Sequence, residues 1–298
     1  MFGAVVRVGV ARFYPCEFCH KLCQRLRAVF LRNSPPCRQA GNIGGIGPGH
    51  AVRPLLYDGC MNPTLDLIAS HTSARQFTGE PITADTLRSL IEGGRQASTW
   101  RALQSYSIVV TDAQSREQIY ALLGQQFIAD CAEFLVFVGD LHRATTALDM
   151  QGKDIHLAGV EPLLISSVDA ALAAQNVLLG AESLGLGGVF CGYVRTFSAE
   201  VSQILELPDH TYPLFGLALG RPAVSNPVKP RLPYEAVVFE GTYGPVDPAF
   251  VDQFNAALDA YPADRRPGLW SHRFADQFGP QANTSATDNL RAKGFTLG

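Results

Sequence analysis

The sequence predicts a globular protein of mixed helices and strands, assembled around one buried helix. Residues 168–185 are apolar or small on nearly every face, which is typical of an interior helix. The segments 134–138 and 212–219 are apolar on both faces, which favours strands that are covered on both sides. A chain of 298 residues with 47% hydrophobic and 17% charged residues can bury a large core, and this composition excludes a disordered chain.

The other elements are predicted from local signals, taken in chain order. Asn62-Pro63 and Thr83 mark helix starts, and Gly185 marks the end of the buried helix because it adopts a left-handed conformation without strain. Helices are predicted at 64–70, 83–97, 115–123, 199–207 (capped by Ser198) and from Asp247 onward, with strands at 106–111, 189–194 and, at an edge, 235–240. The polar residues 140–154 predict a loop, and a helix from about Ile155 is expected to continue through Pro162 into the buried helix. Residues beyond Pro262 carry few signals.

Two classes of partner are disfavoured by charge and polarity. The buried helix is just long enough to span a bilayer, but Asp169, Gln175, Asn176 and Glu182 argue against a membrane span. A net charge of −3 gives no reason to expect nucleic acid as a partner.

The first sixty residues differ from the rest in charge and cysteine content. They carry eight basic and two acidic residues, together with five of the seven cysteines. One interpretation is a zinc-binding module at Cys16, Cys19, His20 and Cys23, and a second is a basic targeting peptide. The favoured interpretation is an extension translated from too early a start, with Met61 as the natural start. We therefore expect residues 1–60 to be poorly ordered and 61–298 to form the domain.

Several common catalytic motifs are absent from the sequence. No nucleophile elbow, zinc-protease motif or phosphate-binding P-loop occurs, and residues 61–298 contain no dense cluster of metal ligands. The glycines at 185, 187 and 188 resemble a dinucleotide fingerprint, but they follow a helix where that fingerprint follows a strand.

A set of phosphate-binding side chains remains. His71, Ser73 and Arg75 alternate, so they share one side of an extended segment and can hold a phosphate through charge-assisted hydrogen bonds. Lys229 and Arg231 lie in a segment that three prolines keep extended. Such groups, with a glycine-rich strand edge, suit a bound cofactor whose own ring performs the chemistry.

Residues 61 to about 275 resemble the oxygen-insensitive NADPH nitroreductases and flavin reductases of the FMN-dependent nitroreductase superfamily. The matching stretches, which occur in order, are 71–75 (HTSAR), 173–176 (AAQN), 182–188 (ESLGLGG), 213–220 (PLFGLALG) and 229–233 (KPRLP). The resemblance implies an α+β fold with a mainly antiparallel central sheet flanked by helices. It also implies a homodimer with a swapped extended arm (221–245), a C-terminal helical segment and two FMN sites at the subunit interface.

The resemblance also implies roles for individual residues. His71, Ser73, Lys229 and Arg231 would hold the FMN phosphate, and Arg75 would reach the N1/C2=O end of the flavin ring. Thr99 and Gln125 would contact the ribityl chain and pyrimidine edge, and Phe190, Cys191 and Gly192 would lie along the ring beside N5. No side chain is expected to be catalytic, because flavin N5 carries the chemistry, and no metal is expected. Arg265 or Arg266 would hold the 2′-phosphate of NADPH.

The implied activity is a cytoplasmic NAD(P)H oxidoreductase that reduces nitroaromatics, quinones or free flavin by ping-pong two-electron hydride transfer. Three residues depart from the family pattern: Trp100, Arg101 and Tyr193, which place bulk or charge near the flavin. They leave open an alternative, a flavin-binding carrier or sensor without efficient turnover. The loop after Tyr261 lacks one expected arginine, so the choice between NADPH and NADH is also open.

Overall fold

The computed structural model describes residues 56–57, 60–262, 269–278 and 285–297. The chain divides into two compact units, Met1–Met61 and Asn62–Gly298. In the first unit, β1 (Leu56–Tyr57) pairs antiparallel with β2 (Cys60–Met61). Some predictions fall outside the described residues. They are the zinc ligands Cys16, Cys19, His20 and Cys23, the poor order of the first residues, and the roles of Arg265 and Arg266.

A four-stranded sheet forms the centre of the second unit. Its strands are β3 (Tyr106–Val110), β4 (Glu133–Asp140), β5 (Gly187–Cys191) and β6 (Thr211–Gly220). They pair in the order β3-β4-β6-β5, and every neighbouring pair is antiparallel. The antiparallel sheet implied by the family resemblance is therefore confirmed.

Ten α-helices are described in this unit. They are α1 (Pro63–Ala69), α2 (Ala84–Arg95), α3 (Ala113–Leu123), α4 (Gln126–Asp130), α5 (His142–Asp149), α6 (Glu161–Ser183), α7 (Ser198–Ile204), α8 (Ala249–Asp259), α9 (Trp270–Phe278) and α10 (Ser285–Ala292). Both predicted caps are confirmed: the Asn62 side chain accepts from the amides of Thr64 and Leu65, and Thr83 accepts from Thr86. After α6, Gly185 is left-handed with φ 72°.

The helices cover both faces of the sheet. On one face, Leu135, Phe137, Leu217 and Leu219 pack with the buried alanines of α6 and with α2. On the other face, alternate residues of β4 pack with the helices α3, α4 and α7: Phe134, Val136 and Val138. Strand alternation sends neighbouring side chains to opposite faces, so each apolar run fills two core layers. The predicted two-sided burial of β4 is confirmed.

Several predicted boundaries are wrong. Residues 142–149 form α5, since the Asp140 carboxylate accepts from the His142 amide (2.9 Å) and the expected loop therefore starts as a helix. The sequence signals also missed α4. Helix α6 begins at Glu161 with Pro162 in its first turn, and no helix precedes it from Ile155.

Two further predictions fail for local reasons. Strand β5 ends at Cys191 because the chain turns into a 3-10 helix, Gly192–Phe197. Ser198 is the first residue of α7 and its hydroxyl accepts from Asn289 Nδ2 (2.9 Å), so it caps no amide. The expected edge strand at 235–240 is absent, and Tyr234–Ala236 form a short 3-10 turn instead.

Helix α6 is buried on one side only. Among the described residues it is the one helix long and apolar enough to cross a membrane, with a mean hydropathy of 1.5. Its alanines pack against the sheet, but Leu164, Val168 and Leu172 are exposed by 51%, 52% and 44%. We call these three residues the α6 apolar face. The prediction of burial on every side is therefore wrong for this chain.

Candidate cofactor site

The segment that carries His71, Ser73 and Arg75 lies beside β5. Ser73 forms a parallel bridge with Gly188, and the Ala74 amide donates to the Gly188 carbonyl (3.0 Å). Ala74 is buried at 3% exposure, while the three predicted phosphate ligands alternating with it are half-buried. Thr72, which lies between His71 and Ser73, is half-buried as well. The bridge from Ser73 to Gly188 extends the edge of the sheet beyond β5.

The two glycines at the start of β5 are required by packing between protein atoms. A Cβ on Gly187 would lie 2.8 Å from Pro222 Cγ, and one on Gly188 would lie 2.7 Å from the Ala218 carbonyl oxygen. Contacts within the protein therefore account for both glycines. At Gly192 a Cβ would meet only the end of the Arg195 side chain, at 3.1 Å from Nη2.

The first part of the extended arm is fixed against the same segment. Asn226 Nδ2 donates to the Ser73 carbonyl (3.3 Å), and the Tyr261 hydroxyl donates to the Pro227 carbonyl (2.7 Å). Lys229 follows Asn226 by three residues, a step of at most about 11 Å. Arg231 is exposed, and its guanidinium donates to the Lys229 carbonyl (3.2 Å). The arm therefore carries two cations close to the segment of His71.

The end of β5 presents an aromatic ring outward and a thiol inward. Phe190 is 38% exposed and packs edge-to-face on Phe215, with ring centroids 5.3 Å apart. Cys191 is buried, and burial raises the pKa of its thiol. Cys191 is thus a neutral, packed thiol at physiological pH.

Thr99 lies elsewhere in the chain. The Asp169 carboxylate of α6 accepts from the amides of Trp100 (2.9 Å) and Ser105 (3.1 Å), at the two ends of the turn that follows Thr99. His71 Nδ1 contacts Glu182 Oε1 (2.5 Å) at the other end of the helix. Asp169 and Glu182 are thirteen residues apart on α6, which corresponds to about 20 Å. A single chain therefore does not bring Thr99 to His71.

Gln125 is half-buried at the junction of α3 and α4, where its Nε2 donates to the Leu123 carbonyl (3.5 Å). No described contact joins Gln125 to His71, Ser73 or the arm.

The turn held by Asp169 has an unusual backbone. Arg101, Ala102 and Gln104 have φ values of 47°, 59° and 54°, which non-glycine residues rarely adopt. Trp100 and Leu103 are exposed by 56% and 59%. Asp169 itself is 1% exposed. Sequence reasoning noted Asp169 only as an argument against a membrane, although a charge inside an apolar helix signals a specific partner.

The donor set suits a phosphate monoester attached to a flat, partly apolar group. Imidazole, hydroxyl, guanidinium and ammonium groups come from one segment and the arm beside it, and the exposed ring of Phe190 lies on the strand that this segment borders. Among the described residues, no group of three or more histidine, cysteine, aspartate or glutamate side chains could hold a metal ion. The residues present fit FMN.

The chain is similar to known proteins over most of its length. The chain is 41% identical over 217 residues to the oxygen-insensitive NADPH nitroreductase of Salmonella typhimurium, covering 71% of this chain and 89% of that protein. It is 35% identical over 246 residues to the FMN reductase (NADPH) of Bacillus subtilis, covering 79% and 99%. Its fold matches the NADPH:FMN oxidoreductase of Vibrio harveyi complexed with NAD+, with a TM-score of 0.72, 35% identity and coverage of 78% and 99%.

The sequence profile of the Nitroreductase family matches residues 68–221, and that of the Nitroreductase family C-terminal domain matches residues 229–298. The first match contains the His71 segment, β5 and both carboxylates of α6, and the second contains Lys229 and Arg231. This chain therefore belongs to the nitroreductase family.

Proposed function

We propose that this protein is an FMN-dependent NAD(P)H oxidoreductase that reduces nitroaromatics, quinones or free flavin. The observation that carries the proposal is the meeting of the His71–Arg75 segment, β5 and the cationic arm at one sheet edge. The names of the relatives, an NADPH nitroreductase and an NADPH-dependent FMN reductase, support it.

The chain's own residues bind and orient, while the cofactor supplies the redox chemistry. When bound, FMN would supply the two-electron hydride chemistry of a ping-pong reaction between NAD(P)H and an acceptor. His71, Ser73, Lys229 and Arg231 would hold the phosphate of FMN, and Arg75 would reach the N1/C2=O end of its ring. Phe190, Cys191 and Gly192 would lie along the ring at the end of β5. Arg265 or Arg266 holds the 2′-phosphate of NADPH.

We further propose a homodimer in which each site draws on both subunits. The α6 apolar face exposes three large side chains, and Leu103 and Trp100 expose further apolar surface on the turn held by the same helix. Such a surface on a subunit is typical of an interface. The separation of about 20 Å along α6 supports a site in which Thr99, and Gln125 with it, serves the partner's flavin. The arm, residues 221–245, then crosses to the partner.

The alternative of a carrier or sensor without turnover rests on bulk near the flavin. Tyr193 packs edge-to-face on Phe197 (5.5 Å), which directs its ring toward its own 3-10 turn and supports an open site. The NAD(P)H donor supports a cytoplasmic location.

Titration of the apoprotein with FMN and with riboflavin, which lacks the phosphate, tests the proposal. Lys229→Ala and Arg231→Ala should each weaken FMN binding by about tenfold, the value of one charge-assisted hydrogen bond, and leave riboflavin binding unchanged. Lys153→Ala, at an exposed lysine, is the matched control. Equal losses for both flavins would contradict a phosphate site on the arm.

A further inference from the structure

The carboxylate of Glu182 contacts the imidazole ring of His71. Glu182 Oε1 lies 2.5 Å from His71 Nδ1, and the side chains are 11% and 28% exposed. The second oxygen, Oε2, is buried and has no hydrogen-bond partner among the described residues. Glu182 lies near the C-terminal end of α6, just before β5, and His71 begins the segment that bridges to β5.

The contact restricts where the protons of this pair can be. In one state a carboxylate faces an imidazolium, and in another a carboxylic acid donates to Nδ1. In both states the pair is neutral overall. The remaining state is a carboxylate facing an imidazole protonated at Nδ1 alone. It would leave a buried negative charge whose second oxygen has no described partner, an arrangement that is strongly unfavourable.

Both neutral states have the same consequence for the opposite side of the ring. In each of them Nε2 carries a hydrogen, and Nε2 is the nitrogen that Glu182 leaves available to a ligand. In the disfavoured state Nε2 has a lone pair, which would repel a phosphate oxygen.

We propose that Glu182 is a positioning residue for cofactor binding: it shares one proton with His71 Nδ1, and so keeps Nε2 a hydrogen-bond donor to the FMN phosphate. The inference rests on the proposed FMN site and adds a residue from the core helix to it. Glu182 does not touch the cofactor. It acts through the orientation and protonation of the imidazole ring.

The direct test is nitrogen NMR of the FMN-bound protein with ¹⁵N-labelled histidine, with His71 assigned by the signal lost in His71→Gln. The inference expects a hydrogen on Nε2 of His71 at neutral pH. An Nε2 resonance typical of an unprotonated nitrogen would overturn it, and this result needs no Glu182 variant to fold.

Binding measurements provide a second test. Glu182→Leu, which keeps the side-chain volume, should weaken FMN binding by about tenfold and leave riboflavin binding within about twofold. In a His71→Ala background the same change should cause no further loss. Glu117→Leu, at an exposed glutamate of α3, controls for the loss of one negative charge.

The outcomes separate the two proposals. Equal losses of FMN and riboflavin, or a full additional loss in the His71→Ala background, would overturn the role of Glu182 while the FMN site stands. A wild-type protein that binds neither flavin would overturn the proposed function itself.

Discussion

Two adjacent glycines in α2 show how differently neighbouring residues are constrained. A Cβ on Gly94 would lie 2.5 Å from Val177 Cγ2 of α6, whereas a Cβ on Gly93 would meet nothing within 4 Å. We expect Gly94→Ala to lower the free energy of unfolding by about 1–3 kcal/mol through overpacking. Gly93→Ala should raise it by about 0.5–1 kcal/mol, because alanine favours the helix. Urea unfolding of both variants checks the pair, and similar effects at the two positions would contradict the tight α2–α6 contact.

The buried thiol of Cys131 predicts a loss of stability at alkaline pH. Burial raises its pKa from 9.0 to about 11. Below pH 9 the Cys131 thiol is protonated in both the folded and the unfolded chain, so the stabilisation from burying the neutral thiol is fully present. As the pH rises from 9 to 11, the unfolded state loses its proton first and unfolding becomes more favourable, by about 1.4 kcal/mol per pH unit.

Urea unfolding under reducing conditions at pH 8 and pH 10.5 measures this effect. Cys131→Ala should show a smaller drop between the two pH values than the wild type, by roughly 1–2 kcal/mol. Tyr106, Cys191 and Tyr212 also have raised pKa values and will lower stability in both proteins, so the difference between the proteins is the informative quantity. Equal drops would contradict a thiol that is neutral because it is buried.

At the residue scale, the sequence was informative where the residues of a function are close together. The alternation of His71, Ser73 and Arg75 predicted an extended segment, and the bridge from Ser73 to Gly188 places that segment at the edge of the sheet. Asp169 and Glu182 were not identified as site residues, because their partners lie 69 and 111 positions away in the chain. No local pattern states which distant group a buried carboxylate will contact.

At the scale of elements, Asp169 joins the turn after Thr99 to α6. Replacing it with asparagine leaves one oxygen for two amides, so one buried amide loses its partner. We expect Asp169→Asn to lower the free energy of unfolding by about 2 kcal/mol and to speed amide hydrogen exchange at Trp100 and Ser105. Asp149→Asn, at the exposed end of α5, is the control and should change neither quantity. Unchanged exchange at both amides would contradict the role of Asp169 in holding the turn.

The elements that the sequence predicted best are those with long apolar or β-branched runs. Strands β3, β4 and β6 and helices α2, α3 and α6 all occur near their predicted positions. Helix α5 was missed because its sequence is polar, and it depends on the Asp140 contact with the His142 amide and on the Arg143–Asp140 ion pair (2.8 Å). The end of β5 was missed because Tyr193 and Val194 look like strand residues, although the chain turns at Gly192.

At the scale of the whole molecule, the α6 apolar face predicts the oligomeric state. Leu172→Glu places a charge in the proposed interface and should convert a dimer, at twice the 32.2 kDa chain mass, to a monomer that binds FMN poorly. Leu184→Glu, at a leucine that is 56% exposed beyond the end of α6, should leave the dimer intact. Light scattering after size-exclusion chromatography distinguishes the two. A wild-type monomer that holds FMN tightly would contradict a shared site.

The association of subunits is also where the sequence was least informative. The sequence pattern of an apolar helix is the same whether its outer face packs against the core of its own chain or against a second copy of the chain. The resemblance to nitroreductases, and not the periodicity of α6, led to the expectation of a dimer. The exposure of Leu164, Val168 and Leu172 now gives that expectation a physical basis.

The central claim is that this chain uses bound FMN to accept hydride from NAD(P)H. Stopped-flow mixing of the FMN-loaded protein with NADPH, and separately with NADH, followed at the flavin absorbance band, tests it most directly. We predict rapid bleaching by NADPH and recovery of the colour when a nitroaromatic or a quinone is added. Slower bleaching by NADH would show that the protein recognises the 2′-phosphate of NADPH. Equal rates would mean that neither Arg265 nor Arg266 binds that phosphate. Bound FMN whose absorbance is bleached by neither nucleotide would contradict the account.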